Sequence, residues 1–242
     1  MPPKRQQSGV STHHHWIRSN ALSTSDPTYG AITSNVSDTR RLILAGIAAP
    51  IVSWGLSVVV IAGWPGYDPI SRSISLLANA PLGWLQTVAF AVSGALGIAW
   101  AFGLSRVLGA TVRARAFVLA LLLVQAAITV AFAIFPTDPD GIPMTMIGRI
   151  HLANFYLYAV TMPLTLVALG LVMRSDARWR GMARPTLAAA VLVFASSFLV
   201  PFTVEGPLTP WLGLLERLYV AIPSVWQVAA AIVALRIVRS AG

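Results

Sequence analysis

Cysteine is absent from all 242 residues. Disulfides, thiolate nucleophiles, iron–sulfur ligation and cysteine-based zinc sites are therefore excluded. Charge is scarce: 10% of residues are charged, against about 25% in an ordinary soluble domain. Histidine is nearly missing too. Three of the four stand together at His13 to His15, which leaves His151 alone in the rest of the chain. A transmembrane di-haem cytochrome needs a pair of axial histidines for each haem, and this chain does not supply them. A zinc hydrolase usually draws on several histidines, so no metal and no cofactor are expected. No glycine-rich phosphate loop and no nucleophile-elbow pattern is found, and a serine–histidine–acid triad has no sequence support.

What the chain has is hydrocarbon. It is 56% hydrophobic with a mean hydropathy of +0.73. Six long apolar runs lie at about 42–63, 81–104, 114–135, 147–173, 185–204 and 211–238. A bilayer core of about 30 Å takes about 20 residues of helix, and lipid offers the backbone no partners, so such runs must be helices. The fold class is all-α: a polytopic bundle of six transmembrane helices over residues 41–239. Residues 1–40 are a polar tail that cannot bury a core and is expected to be disordered.

The net charge of +9 would suit a nucleic-acid binder, but its distribution does not. Fourteen of the seventeen basic residues flank the spans on alternate sides, before span one, between two and three, between four and five, and after six. Arg72, Arg149 and Arg217 alone occupy the other side. That is the positive-inside pattern. It places both termini in the cytoplasm of a plasma-membrane protein, with membrane lipids as partners, another membrane protein as a further candidate, and no nucleic acid.

The outer loops carry the polar chemistry. In 64–80, Asp68-Pro69 reads as a helix cap followed by a first-turn proline. Ile70, Ile74 and Leu77 then share one face, which predicts a short amphipathic helix lying at the outer interface or dipping in against the bundle. Residues 136–146 hold prolines and an Asp-Gly turn signal. An aromatic, an acid and a proline recur after spans one, three and five, ending at Asp68, Asp138 and Glu205, as three repeated hairpins would give. Small residues at four-residue spacing, Ala45-Ala49-Ser53-Ser57 and Ala89-Ser93-Gly97-Ala101, predict helix-packing faces. Pro163, Pro201 and Pro223 predict kinks.

Ionisable residues in or beside a membrane are costly and mark sites. Here they gather at the outer end. His151, Asn154 and Tyr158 share one face of span four, with Arg149 beside them. Glu216, Tyr219, Pro223 and Gln227 form a stripe on span six, and Gln125 with Thr129 a polar patch on span three. With Asp68, Arg72, Ser73, Ser75 and Asp138 these predict an outward-facing polar pocket. Each also has a structural reading. Asp68 caps, Asp138 and Asp140 shape a turn, Arg149 pairs with an acid or reaches the headgroups, His151 is a hydrogen-bonded core histidine, and Glu216-Arg217 is an interfacial pair.

The stretches YDPISRSISLLANAPLGWLQ, FPTDP and GRIHLANFY resemble a group of bacterial and archaeal six-span proteins designated domain of unknown function 998. The resemblance covers about residues 42–238. It implies a six-helix membrane domain and carries no activity. Ser73, Ser75, Asp138 and His151 match its recurrent positions, and Leu76 stands where an acid would be expected. A likeness to eukaryotic six-span proteins of lipid-anchor remodelling is at the level of fold. The leading expectation is a multi-pass membrane protein with an outward polar pocket that binds a lipid or protein. Two alternatives stand beside it: a lipid-directed hydrolase or transferase, with His151 as base oriented by Asp138 or Glu216, and a small transporter or accessory subunit. Geometry separates them: catalysis requires His151 within hydrogen-bond reach of a carboxylate, inside a pocket, and transport requires a continuous polar path.

Overall fold

The computed structural model describes residues 27–199, 202 and 206–240, with side chains from Val36 onward. The His triplet, Pro201 and Glu205 lie outside the described residues. Among the described residues there are six long α-helices: α1 (Pro27–Ala62), α2 (Gly83–Val107), α3 (Val112–Ile134), α4 (Met146–Ser175), α5 (Arg180–Ser197) and α6 (Leu212–Ser240). No strand occurs among the described residues. The first helix begins well ahead of the apolar run that predicts it.

Among the described residues five segments are long and apolar enough to cross a membrane: Val36–Ala62, Gly83–Val107, Val112–Ile134, Met146–Ser175 and Thr209–Ser240. Only 28–33% of an apolar 18-residue stretch of each is buried inside the protein. Large apolar side chains such as Ile51, Phe117, Val160 and Val225 face outward, a surface suited to lipid and not to water. The helix α5 is shorter, 18 residues, and carries Arg180 and Arg184 near its start. The run expected at 185–204 is helical to Ser197 and then passes beyond the described residues.

Each helix packs on its neighbour in the chain, and α6 closes on α1, so the six form a ring in sequence order. The small-residue faces meet as expected. Ala45, Ala49, Ala89, Ser93 and Ala101 are buried, and Ser93 Oγ donates to Ala49 O at 3.1 Å. Ser57 Oγ reaches Gln86 Oε1 at 2.9 Å.

Prolines explain two of the contacts around the ring. A proline has no N–H, so the carbonyl four residues earlier loses its helical donor. Pro50, inside α1, frees Gly46 O, and Gln227 Nε2 of α6 donates to it at 3.2 Å. Pro163, inside α4, frees Ala159 O, and Ser197 Oγ of α5 donates to it at 3.1 Å. In a solvent that offers no partners, a neighbouring helix must supply the missing donor. Each proline thereby ties its own helix to a specific position on another.

The two ends differ. One end holds the loops around 63–82 and 135–145 with most of the acids; the other holds the short turns at 108–111 and 176–179 with most of the arginines. At the basic end a single carboxylate knots two turns together. Asp176 accepts from Gly109 N at 2.9 Å, from Arg178 N at 3.0 Å and from the Arg178 guanidinium at 2.8 and 3.1 Å. Arg178 Nη2 and Trp179 Nε1 both donate to Val107 O. The Arg178 side chain beside it holds the Asp176 carboxyl below the usual carboxylate range.

Candidate functional site

The acidic end is organised by consecutive residues of the first turns of α6. Arg217 Nη1 donates to Pro69 O, Arg72 O and Gly213 O at 2.8–2.9 Å, and Nη2 donates to Tyr67 Oη. Tyr67 in turn donates to Ser73 O at 2.6 Å. Burial pushes the Tyr67 phenol above its usual value, and Arg217 partly offsets that. Glu216 takes the opposite polarity: its Oε2 accepts from Ile74 N at 2.7 Å and its Oε1 from Ser75 Oγ at 3.4 Å. Leu214 N donates to Ile70 O at 2.9 Å. Glu216 and Arg217 therefore grip the 67–75 loop with opposite charges and do not pair with each other. A β-carbon on Gly213 would lie 2.1 Å from Arg72 O, so only glycine lets the loop come this close.

This grip corrects the expected amphipathic helix. The backbone groups that would propagate it from Asp68 are taken: Pro69, Ile70 and Arg72 give their carbonyls, and Ile74 its N–H, to α6. What forms is a single turn capped by Asp68, then a 3-10 helix at Ser75–Asn79 whose start is held by Ser73 Oγ on Leu76 N. The Asp68 carboxylate accepts from Ser71 Oγ and Ile70 N, which lower its pKa. Ile74, Leu76 and Leu77 are buried with Val60 and Tyr67 in a small core beneath the loop, while Ile70 is exposed.

The second loop caps α4. Asp138 accepts from Thr145 N at 2.8 Å and Thr145 Oγ1 at 2.7 Å, and Thr145 Oγ1 accepts from Gly148 N at 3.1 Å. The carboxylate sits where a β-carbon on Gly148 would be. Arg72 reaches Asp140 at 3.9 Å across exposed surface, a contact of small energetic weight. Arg149 is exposed at the start of α4.

His151 is buried, its ring tilted against Phe132 with the centroids 4.9 Å apart, and its Nδ1 is 2.8 Å from Phe135 O. It makes no hydrogen bond to Asp138 or Glu216, whose oxygens are taken up by the caps and the loop. Asn154 Nδ2 likewise ties α4 to α3 through Ile128 O at 3.0 Å. The shared face of His151 and Asn154 is thus spent on joining these two helices. Tyr158 stands edge-on to Tyr219 at 5.6 Å.

A cavity of about 170 Å³ lies inside the ring. Ile74, Ser75 and Glu216 line it at the acidic end; Trp100, Gln125, Thr165, Trp226 and Gln227 line it deeper in. Along α6, the eleven residues from Glu216 to Gln227 span about 16 Å. Beyond that depth Leu104, Leu169, Met173, Trp179 and Ala234 are fully buried, so the basic half is packed solid. Among the described residues no continuous polar path crosses the bundle. The sequence points to Glu216, Tyr158, Gln125, Thr129, Ser75 and Gln227 in this lining. It gives no sign of Trp100, Thr165, Ser224 or Trp226, which sit mid-run among residues of the same hydropathy.

A family model described as Protein of unknown function (DUF998) matches residues 47–233, in line with the resemblance in the loop motifs. No curated protein and no solved structure matches the chain.

Proposed function

The chain belongs to that family, and on this premise we propose that it is a six-crossing membrane protein whose cavity, opening at the outer end, receives a small ligand. Parity supports the sixth crossing. The end of α4 is knotted to the turn after α2 at the basic end, and the start of α6 is gripped by the first loop at the acidic end. The chain between these two points includes α5, and its return from the basic end to the acidic end supports a sixth crossing. Arg180 and Arg184 then belong to the headgroup region, where long side chains extend to the polar boundary. The arginine distribution supports a basic end in the cytoplasm, with both termini on that side.

The observation that carries the binding reading is the one-ended cavity: polar groups at its mouth and floor, and a solid apolar half beyond. A hydrolase built on His151 has no carboxylate bonded to its base, and His151 stands behind Phe132, outside the cavity lining. The absence of native cysteine makes the test direct. Single cysteines at Asp140, Arg113 and Ser224 are labelled in intact cells with a small membrane-impermeant thiol reagent. Asp140→Cys and Ser224→Cys are expected to react from outside, and Arg113→Cys only after lysis. Reaction of Arg113→Cys from outside reverses the orientation. A Ser224→Cys that reacts only after lysis removes the outward-opening cavity.

A further inference from the structure

The proposed cavity has a definite chemical sign. Glu216 is the one charged residue in its lining, which holds no lysine, arginine or histidine. Six aromatic rings surround the space: Phe90, Trp100, Phe132, Phe155, Tyr158 and Trp226. The polar atoms left over are mostly acceptors, and Gln125 shows why. Thr161 and Thr165 both donate their hydroxyls to helical carbonyls, Leu157 O and Thr161 O, at 2.7 Å. Their oxygens can then only accept, so the Gln125 amide must turn its NH₂ toward them, at 2.9 and 3.2 Å. That leaves Gln125 Oε1 buried with no partner, on a residue only 7% exposed. The Gln227 NH₂ is likewise committed to Gly46 O, which leaves its oxygen over. Glu216 Oε1 accepts from Ser75 Oγ at 3.4 Å.

An unpartnered buried acceptor is destabilising by about 1–3 kcal/mol, so such atoms mark where a donor belongs. An anion would meet a carboxylate and bare amide oxygens with no cation in the lining. A neutral molecule would forgo the attraction of the one carboxylate there. An ammonium group would meet the Glu216 carboxylate at the acidic end, and the aromatic faces along the cavity attract it further. The volume is close to the 150 Å³ or so that accommodates benzene. Trp100 Nε1, also buried without a partner, adds room for one acceptor oxygen on the guest.

We propose that the cavity binds a small protonated amine with an aromatic or aliphatic body, its ammonium group directed to Glu216 and its body lying among the aromatic rings. This rests on the cavity being a ligand site.

The test uses three probes of one skeleton and different charge: 2-phenylethylamine, 2-phenylethanol and phenylacetate. Each is titrated into the detergent-solubilised full chain, following tryptophan fluorescence, to which Trp100 and Trp226 report from the lining. Glu216→Gln keeps the shape and an acceptor for Ile74 N. Thr129→Phe and Ser224→Leu fill the space from different walls. Gel filtration checks the fold of each. The expected result is saturable binding in the order amine, alcohol, acid. Glu216→Gln should weaken the amine roughly tenfold and leave the alcohol unchanged, and the filled variants should bind none. If the alcohol or the acid equals the amine while the filled variants stay silent, the amine assignment falls and the ligand site stands. If no probe saturates, or the filled variants bind as the native chain does, both fall.

Discussion

Replacing Gln227 by leucine should destabilise the bundle through a carbonyl on another helix. Gly46 O lacks its helical donor because Pro50 has no N–H, and Gln227 Nε2 is the group that reaches it, at 3.2 Å. Hydrogen bonds between membrane helices average about 0.6 kcal/mol and reach about 1.7, because separated helices find other partners. Gly46 O has no such substitute while Pro50 stays in α1, so the upper end applies and Gln227→Leu should cost about 1.5 kcal/mol. Adding Pro50→Ala returns an N–H to the helix four residues on. In that background the same leucine should cost less than about 0.5 kcal/mol, a coupling of about 1 kcal/mol between the two sites. Reversible unfolding in mixed micelles, followed by helical circular dichroism, measures all four corners of the cycle. Equal effects of Gln227→Leu in both backgrounds would refute the claim that the proline creates the need for the glutamine.

The second proline pair gives a parallel expectation. Ser197→Ala should lower stability by about 1 kcal/mol, and Pro163→Ala should suppress that loss in the same unfolding assay. Asp176 sets an acid limit. Its folded pKa is depressed, so its contribution is present above the unfolded value of about 3.9 and is lost as pH falls through the lower folded value. Asp176→Asn should flatten that acid limb in a pH series of thermal melts. His151→Ala should reduce stability by about 1 kcal/mol through the Phe135 contact and leave probe binding in the cavity unchanged; a loss of binding with intact stability would return His151 to the site. Gly213→Ala should unseat the 67–75 loop, raising protease cleavage between Tyr67 and Leu77 while the helices stay folded.

Much of the framework was legible because lipid imposes a length and a polarity that any linear scan can see. The start of α2, the ends of α3 and α4 and the small-residue faces of α1 and α2 all lie close to where the apolar runs put them. The 64–82 loop was not legible. Its periodicity suits a helix, but the contest is decided by Glu216 and Arg217, some 140 residues away, which take the backbone groups a helix would need. The polar residues of α4 divide between the two readings the sequence offers: Tyr158 lines the cavity, and His151 is the hydrogen-bonded core histidine. His151 and Asn154 look like site residues because they are polar in an apolar run, and the structure spends them on carbonyls of the α3 end. The reverse holds for Trp100 and Trp226, which hydropathy cannot distinguish from residues facing lipid. Gln227 was visible as one of a stripe, but its bond to Gly46 was not, because the need for it arises from Pro50 on a different helix.

The order of helices around the ring bears on how the protein is made. Each newly synthesised segment finds its neighbour already in place, except the first, whose second partner is the last to emerge. Until α6 arrives, Gly46 O has no donor, Trp54 lacks the Ser224 hydroxyl it donates to at 3.2 Å, and the first loop has nothing to hold it. A nascent chain halted before α6 would thus display a bare carbonyl, a loose loop and an open seam at once. Those are features that surveillance proteases can read, and the final helix is the part that hides them.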